Sequence, residues 1–530
     1  MKEGFRQSMS WLHTWAGLIF GWLLFAIFLT GTLSYFKEEI NHWAKPEVPV
    51  RSLDTAASLA LAQGYLQVHA SGSPRWFINV PDAREPVLRV GWQDPGKPGR
   101  AGFMRKNLDP QTGAEVQARE SRGGDFFYRF HFELQMGYPW GRWLSSIAAM
   151  VMFVGLISGI IVHKKLFKEF FTFRPGKGQR SWLDGHNALG VLVLPFHLMI
   201  TYSSLVIFMT MVMPASIVSA YGDNTQALFK EMFPARDTPA PAGQPAPLVS
   251  LPSLYAQFER EQPGARLGRV EVLQAGDVNA RVVMSRHNGD QVSTAVGAAR
   301  TFDGVSGKRL DSGTATAPMV QASGTFYGLH MGQFAGPWLR WGYFLFGLGG
   351  TAIIGTGLIM WLGKRQLKHA KSGVQPMELR LVEVLNIASM AGLLLAIVSF
   401  LWANRLLPST LLGRSDWEIN SFFLMWGLAL VHAALRPGRK AWAEQLAAGA
   451  ILYALLPVLN GLTTDRGLWR SIPRGDWAMA GVDLTALATG LVLAWSLHRL
   501  HLKTRQPARR TLRTARTAEP IGTVLEGDAR

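Results

Sequence analysis

The sequence predicts a mostly α-helical integral membrane protein with about eight transmembrane helices. Charged residues make up only 17% of the chain and hydrophobic residues 48%, whereas a soluble domain carries roughly 25% charged residues. Several uncharged apolar runs are about 20 residues long, the length that an α-helix needs to cross a bilayer. The first run, Trp11–Phe36, is too long for the apolar part of a signal peptide, so we expect an uncleaved span.

Basic residues between these runs predict the orientation. Short cytoplasmic loops of membrane proteins carry an excess of Lys and Arg. Such residues precede the first span and follow every second span: Lys2, Arg6, Lys164, Lys165, Lys168, Arg174, Lys177, Arg180, Lys364, Arg365, Lys368, Lys371, Arg380, Arg436, Arg439, Lys440, Arg499, Lys503 and Arg505. Both termini are therefore predicted to be cytoplasmic. The basic residues of these cytoplasmic segments also explain the net charge of +18. Because the chain has no basic amphipathic stripe, we expect no nucleic-acid partner.

Two long segments are predicted to form water-exposed α+β lobes on the opposite side, which is the periplasm in a bacterium. Each has a helical stretch, Leu53–Val68 or Leu251–Glu261, followed by short strand-like runs and a turn sequence. The predicted boundaries are, in chain order, first span 1–37, first lobe 38–140, second span 141–163, cytoplasmic loop 164–185, third span 186–213 with a kink at Pro195, second lobe 214–338, fourth span 339–363, cytoplasmic loop 364–380, a four-helix C-terminal extension 381–500 and a basic disordered tail 501–530.

The unit of helix, lobe and helix occurs twice in the first half of the chain. His13 and His186 each lie four residues before a glycine, at the cytoplasmic ends of spans one and three. His131 and His330 each precede an even-numbered span and are followed by an Arg-Trp pair. The even-numbered spans also match in a hydroxyl residue followed by glycine, at Ser158-Gly159 and Thr356-Gly357. The repeat therefore generates two histidine pairs, one at each face of the membrane.

The chain has no cysteine, which excludes disulfides, thiolate zinc sites, iron–sulfur clusters and covalently attached haem. It also has no dinucleotide-binding, P-loop, HExxH or nucleophile-elbow motif. The cytoplasmic loops are too short for a flavin or nicotinamide domain. Electrons would have to come from another molecule, either a cytoplasmic partner or a quinol.

Histidine pairs facing each other between helices are typical of b-type haem sites. Two neutral imidazoles can complete the coordination of one haem iron, and a helical bundle supplies the apolar walls. The pattern therefore predicts two haem b groups, one held by His13 and His186 and one by His131 and His330. The neighbouring aromatic residues are equally well explained as an interfacial belt.

Two further histidines are candidate ligands. His197 lies eleven residues after His186, which on a straight helix places it about 16 Å deeper on the same face. A polar group at that depth could bind haem, contact a haem propionate or line a path for protons or electrons. His163 ends the second span, at a depth where it could pair with His13, and is the reserve ligand.

Short motifs in the first part of the chain resemble a known family. They occur in order as Trp11–Leu18 (WLHTWAGL), Thr30-Gly31, 108–113 (LDPQTG), 329–336 (LHMGQFAG) and 355–365 (GTGLIMWLGKR). Over roughly residues 8–365 the chain resembles the PepSY-associated transmembrane proteins, which include iron-regulated inner-membrane proteins and ferric-siderophore reductases of Gram-negative bacteria.

The resemblance implies an inner-membrane protein with a four-helix core binding b-type haem and PepSY-like lobes in the periplasm. By motif position, His13 and His186 match the family's cytoplasmic histidines, and His131 and His330 match its periplasmic ones. It implies that the chain is a ferric-siderophore reductase that releases Fe(II), because hard siderophore oxygens hold Fe(II) less tightly. His163 departs from the family, which usually has an aromatic residue there, and many members lack the last four spans.

Two other functions remain open at this point. A non-enzymatic membrane protein could use its PepSY-like lobes to bind or regulate a periplasmic partner, and would need no histidine pairs. A transporter could use His197 and Asp483 as polar groups within the membrane, although Asp483 is predicted to be an interfacial residue near the outer face. For a reductase, the candidate contacts to a flat, anionic ferric chelate are Arg129, Trp140, Arg142, Trp338 and Arg340.

Overall fold

A computed structural model describes most of the chain, namely residues 4–49, 54–97, 102–163, 173–222, 224, 227–228, 239–294, 299–310, 318–370, 376–436 and 438–502. The basic stretch 164–172 and nearly all of the predicted disordered tail lie outside the described residues.

The described residues contain seven helices that are long and apolar enough to cross a membrane, and a bent pair of helices that would make an eighth span. This agrees with the prediction of about eight spans. The helices are α1 Phe5–Ser34, α2 Lys37–Ala44, α3 Thr55–His69, α4 Gly123–Glu133, α5 Trp140–Val162, α6 Gln179–Leu192, α7 Leu194–Ile207, α8 Met209–Val212, α9 Pro214–Tyr221, α10 Leu251–Glu261, α11 Pro318–Met331, α12 Pro337–His369, α13 Met377–Leu406, α14 Arg414–Leu435, α15 Arg439–Thr463, α16 Leu468–Ser471 and α17 Trp477–Leu502.

The third span is broken rather than gently kinked. Helix α6 ends at Leu192, α7 begins at Leu194, and the two axes differ by 66°. Pro195 lies in the first turn of α7, where its missing N–H costs nothing but where it cannot continue α6. The predicted kink is therefore present, but it separates two helices instead of bending one.

The two outer segments form one continuous sheet rather than two separate lobes. Each contributes three strands, and the order across the sheet is β3-β2-β1-β4-β5-β6. The strands are β1 Arg75–Asn79, β2 Leu88–Gln93, β3 Phe103–Leu108, β4 Leu267–Leu273, β5 Arg281–Arg286 and β6 Ala299–Asp303. The two units join where β1 pairs antiparallel with β4, with Trp76 opposite Val272. Without this pairing, β1 and β4 would each be an edge strand with unpaired backbone N–H and C=O groups.

One face of this sheet carries the outer hydrophobic core. Trp76 and Ile78 point to this face, and they pack in one apolar cluster with Leu59 of α3 and Phe258 of α10. The predicted helices Leu53–Val68 and Leu251–Glu261 correspond to α3 and α10. Along β1, buried residues alternate with partly exposed ones, which places Trp76 and Ile78 on the face that carries this core.

The last four spans are packed against the first unit and are not a loosely attached extension. Trp43 of α2 is fully buried, and its indole N–H donates to Asp483 of α17 at 2.8 Å. The Arg405 guanidinium lies 3.5 Å from the centre of the Trp43 ring. Asp483 is therefore buried among partners from distant parts of the chain, so the expectation that it is exposed at the membrane–water interface is wrong.

A second buried polar group joins the same parts of the chain. Glu418 and Arg414 are both fully buried and form an ion pair at 2.5 Å within α14. Glu418 also accepts hydrogen bonds from Asn404 at 2.7 Å and from Ser121, which precedes α4, at 2.8 Å. A buried carboxylate is stable only when its oxygens are satisfied in this way.

We therefore expect Glu418→Ala to destabilise the protein by about 3 to 5 kcal/mol, because it leaves the Arg414 charge buried without its partner. The matched control is Glu444→Ala, which removes an ion pair whose carboxylate side chain is 40% exposed and should cost about 1 kcal/mol or less. The measurement is the midpoint of unfolding in mixed micelles of detergent and SDS. Equal midpoints for the two variants would contradict the structural role of the buried pair.

A hydrogen bond links the loops of the two units at one end of the sheet. His287, which follows β5, lies 2.8 Å from Asp82, which follows β1. Burial raises the pKa of Asp82, but hydrogen bonds from His287 and from the backbone N–H groups of Glu85 and Arg84 outweigh burial and lower this pKa to about 2. The charged form of Asp82 is thus favoured in the folded protein.

The pH dependence follows from this lowered pKa. The stabilisation by Asp82 should be complete above about pH 4, where an unfolded Asp is ionised, and should be lost as the pH falls towards 2. The difference in Tm between the wild type and Asp82→Asn should therefore shrink over this range. The exposed Asp465 provides the control, since Asp465→Asn should give a small difference at every pH. A difference in Tm between the wild type and Asp82→Asn that stays constant with pH would contradict the lowered pKa of Asp82.

Candidate cofactor sites at two histidine pairs

The inner histidine pair lies at the end of the bundle where α1 begins. His13 of α1 and His186 of α6 have ring centroids 6.4 Å apart and ring planes at 81°. His13 Nδ1 is 2.9 Å from the Gly155 carbonyl oxygen, and His186 Nδ1 is 3.0 Å from that of Ile353. The hydroxyls of Ser158 and Thr356, predicted as equivalent, lie 3.3 Å and 3.1 Å from the same two nitrogens.

The outer pair lies at the opposite end, next to the sheet. His131 of α4 and His330 of α11 have ring centroids 6.2 Å apart. His131 Nδ1 is 2.8 Å from the Ile27 carbonyl oxygen, and His330 Nδ1 is 3.0 Å from that of Ile200. Each of the four histidines therefore bonds the backbone of a neighbouring helix through the same ring nitrogen.

These hydrogen bonds determine which nitrogen is free. A carbonyl oxygen only accepts, so each Nδ1 must carry the proton and each Nε2 keeps its lone pair. In the described part of the chain, no hydrogen bond occupies the four Nε2 atoms. A histidine ligand held by a carbonyl through its other nitrogen is the usual arrangement at a metal. All four imidazoles are thus prepared for ligation through Nε2.

The spacing of each pair fits one shared metal ion. An imidazole–metal bond is about 2 Å long, so two imidazoles bound in line would have centroids roughly 6 Å apart. Among the described residues, no group of three or more His, Asp or Glu side chains converges on a metal position. Two imidazoles alone suit a metal that brings its other ligands in a macrocycle, as haem does. The donor set and the centroid distances therefore fit haem.

Glycines make room for three of the four imidazoles. A methyl group built on Gly31 would come within 2.5 Å of His131 Nδ1, and one on Gly159 within 3.2 Å of the His13 ring. The corresponding distance from Gly357 to the His186 ring is 3.4 Å. The hydroxyl-glycine dipeptides that mark the spans in the sequence thus have a common role, since each glycine faces a histidine from another helix.

Both pairs line cavities large enough for a cofactor, for which pockets of about 300–1,000 Å³ are typical. The outer cavity has a volume of about 700 Å³ and is lined by both outer histidines together with apolar and aromatic residues. The inner cavity is larger, about 1280 Å³, and its rim carries basic residues, including Arg365 and Lys368. The Arg365 guanidinium stacks 3.7 Å from the centre of the Trp361 ring.

The structure leaves His197 outside both pairs. The prediction that it shares a face with His186 is wrong, because the 66° break between α6 and α7 lies between them. His197 is fully buried beside Phe28 and only one turn from Ile200, so it lies near the outer pair rather than midway. Its Nε2, not its Nδ1, faces a carbonyl, that of Phe346 at 3.3 Å. Its ring therefore has the opposite tautomer to the four paired histidines.

His163 is the reserve ligand suggested by the sequence. It caps the end of α5, and His13, its predicted partner, is instead paired with His186. The geometry thus favours the pairing derived from the repeat.

Only one of the five predicted chelate contacts lines the outer cavity. This is Arg142, which pairs with Glu133 at 2.7 Å. Arg340 is nearly buried and pairs with Glu39 at 3.0 Å, so it is not available to a ligand. Trp140 and Trp338 begin α5 and α12 and are highly exposed, as expected of interfacial anchors. Arg129 is half exposed.

Comparison with known proteins identifies the family of this core. The profile described as the PepSY-associated TM region matches residues 10–364, well over half of the chain. The chain belongs to the PepSY-associated transmembrane family. The PepSY-associated region contains all five histidines predicted as ligands and ends within α12, so helices α13 to α17 lie outside it. A comparison with curated proteins gave no match.

Sequence reasoning missed one feature of the PepSY-associated region. Tyr128 and Tyr327 both line the outer cavity, each three residues before an outer histidine. Residues three apart on a helix share a face, so each tyrosine lies about one turn from its histidine. The signal in the sequence was the spacing Tyr-x-x-His, which occurs in both units.

The close approach of Gly31 to His131 gives a test of the outer site. Gly31→Ala would place a methyl group against the ring, so His131 must leave its position and its bond to the Ile27 carbonyl. We expect this variant to bind about one haem fewer than the wild type in a haem titration followed by absorption. Gly427→Ala, in helix α14 outside both cavities and with open space around it, is the control. Equal haem binding by both variants would contradict the assignment.

Proposed function

We propose that this protein is a membrane reductase that takes electrons at its inner end and delivers them to a ferric siderophore at its outer end. In this proposal one b-type haem is held by His13 and His186 and another by His131 and His330. The observation that carries the proposal is the presence of two equivalent imidazole pairs at opposite ends of one helical core, all four with Nε2 free.

Haem bound at such pairs would supply reversible one-electron chemistry. The protein's own groups would set its environment. The carbonyls of Gly155, Ile353, Ile27 and Ile200 hold the imidazoles in one orientation and one tautomer. Such hydrogen bonds also raise the basicity of the ligating nitrogen, which favours oxidised iron and so influences the reduction potential.

The distance between the pairs supports transfer across the bilayer. His13 and Ile27, the acceptor for His131, are fourteen residues apart on α1, which corresponds to about 21 Å along the axis. An apolar cluster that includes Leu24 and Met152 fills the space between. Apolar packing of this kind excludes water and ions, so charge would move only between the histidine sites.

The inner end is proposed to face the cytoplasm. The inner cavity is rimmed by Arg174, Lys364, Arg365 and Lys368, and an excess of basic residues marks cytoplasmic ends. The same rim would meet an electron donor, either a quinol or a cytoplasmic partner. At the outer end, reduction would release iron because the hard oxygen ligands of a siderophore hold Fe(II) less tightly.

The first experiment is an absorption spectrum of the purified protein, reduced with dithionite minus oxidised, with pyridine-haemochrome quantification. The proposal requires a b-type spectrum and about two haems per chain. A colourless protein after expression with sufficient haem would overturn it. That result would favour the alternative, in which the outer sheet binds or regulates a periplasmic partner without redox chemistry.

Single histidine variants test the pairing. His13→Ala or His186→Ala should remove the inner haem, and His131→Ala or His330→Ala the outer one, so each variant should retain about one haem per chain. The controls are His163→Ala and His197→Phe, which should keep about two haems because neither residue belongs to a pair. Loss of one haem from His197→Phe, with His330→Ala unaffected, would contradict the pairing seen in the structure.

A further inference from the structure

The sheet has a second face that takes no part in the outer core. Antiparallel pairing places residues directly opposite each other on the same face, so Arg75, Phe77 and Arg105 share it. We call this the arginine face, and its arginine and phenylalanine residues are Arg75, Phe77, Arg89, Phe103, Arg105, Arg269 and Arg281. None of them belongs to the apolar cluster under α3 and α10, and Arg105, Arg269 and Arg281 are exposed.

Aromatic rings hold several of these arginines in place. The guanidinium groups of Arg75 and Arg269 lie 5.1 Å and 4.8 Å from the centre of the Phe77 ring. Arg105 lies 4.6 Å from the centre of the Phe103 ring, and the two phenylalanine rings are 5.0 Å apart. Stacked guanidinium groups lose less freedom on binding an anion, and each can donate two parallel hydrogen bonds to a carboxylate.

The charge of the arginine face is only partly neutralised. Its five arginines are accompanied by three carboxylates: Glu271 pairs with Arg75, Glu85 pairs with Arg89, and Asp303 lies at the far edge. Among the described residues, Arg105 has no ion-pair partner. Burial lowers the pKa of Arg105, and the nearby charges of Arg89 and Arg129 lower it further. An added anion would relieve this crowding of like charges.

The arginine face lies beside the approach to the outer cavity. Arg105 is close enough to Asp125 and Arg129 of α4 for their charges to act on it. Asp125 pairs with Lys37 at 3.3 Å, and the Lys37 ammonium lies 5.4 Å from the centre of the Tyr128 ring, which lines the outer cavity. Polar and charged groups thus lead from the sheet to the outer histidines.

The orientation of the strands disfavours a lipid headgroup as the ligand. The loop after β1 is attached to the membrane part, since Arg84 pairs with Glu39 at 2.8 Å and donates to the Tyr35 carbonyl at 3.1 Å. Arg89 and Arg269 are therefore at the membrane end of the sheet, whereas Arg75 and Arg281 are at the distant end. A headgroup in the plane of the membrane would reach only the first two, whereas a small soluble anion could also approach Arg105, which lies nearer the middle of the strands.

We propose that the arginine face binds an anionic metal chelate that carries carboxylate groups, and holds it beside the outer cavity. The inference rests on the proposed function for its biological meaning, because it specifies the class of ferric complex that the reductase would accept. The binding itself requires neither haem nor electron transfer.

The test is calorimetric titration of the full chain, in neutral detergent, with gallium(III) citrate, a stand-in for the ferric complex that is not reduced. Arg105→Glu should weaken binding about tenfold or more, the loss expected for one hydrogen-bonded charge contact. The matched control is Arg260→Glu, an equal charge change at an exposed position of α10, on the core side of the sheet. It should change the affinity by no more than about twofold. If the charge reversal in Arg105→Glu prevents folding, Arg105→Gln replaces it as the test variant.

A neutral gallium(III) trihydroxamate complex provides the second arm, and it should bind equally to the wild type and Arg105→Glu. Equal losses for Arg105→Glu and Arg260→Glu would overturn the proposal, as would binding of metal-free citrate as tight as that of the gallium complex. If Arg105→Glu retained less anionic phospholipid than the wild type but bound gallium(III) citrate equally well, the ligand of the arginine face would be a lipid instead.

The outcomes separate this inference from the proposed function. A chain that binds no haem but binds gallium(III) citrate through Arg105 would keep the inference and lose the reductase. A chain that binds two haems, but whose binding of gallium(III) citrate is independent of Arg105, would support the reductase and overturn the inference.

Discussion

The hydrogen bond from a histidine Nδ1 to a carbonyl on a neighbouring helix is the interaction on which the functional core depends. It occurs four times, at Gly155, Ile353, Ile27 and Ile200. Each bond joins two helices and also leaves the Nε2 lone pair of the histidine available, so the same contact serves packing and the ligation that we propose. The closest crossing is that of Gly31, where a methyl group would come within 2.5 Å of His131 Nδ1 and push the imidazole away from its carbonyl.

Duplication explains why both ends of the core look alike and why the outer segments form one sheet. Each unit supplies a helix, three strands and a histidine-bearing helix, and neither can satisfy its sheet edge alone. Pairing of β1 with β4 closes both edges at once and brings α4 beside α11. The outer histidine pair is thus a consequence of how the two units associate. The C-terminal helices then fix the first unit through the buried contacts of Trp43.

Much of this arrangement could be predicted from the sequence, because a repeat reveals which residues are equivalent. Equivalence predicted the two histidine pairs, whereas the lengths of the apolar runs predicted the number of spans. The sequence gives no local signal for pairing between strands of different units, so the single sheet was not predicted. His197 was misplaced because eleven residues indicate three helical turns only if the helix is straight. The burial of Asp483 was not predicted because its partners, Trp43 and Asn460, are distant in the chain.

The two ends of the protein differ in how rigidly the histidines are connected to water-exposed structure. His13 and His186 lie within long helices of the core, whereas His131 and His330 lie on the short helices α4 and α11 outside the spans. The polypeptide runs from β3 to α4 and from β6 to α11 without another described helix between. A ligand that shifted the sheet would therefore act directly on the outer imidazoles, while the inner pair would be insulated by the bundle. For the function that we propose, this connection favours the outer site as the place where a bound ligand would act.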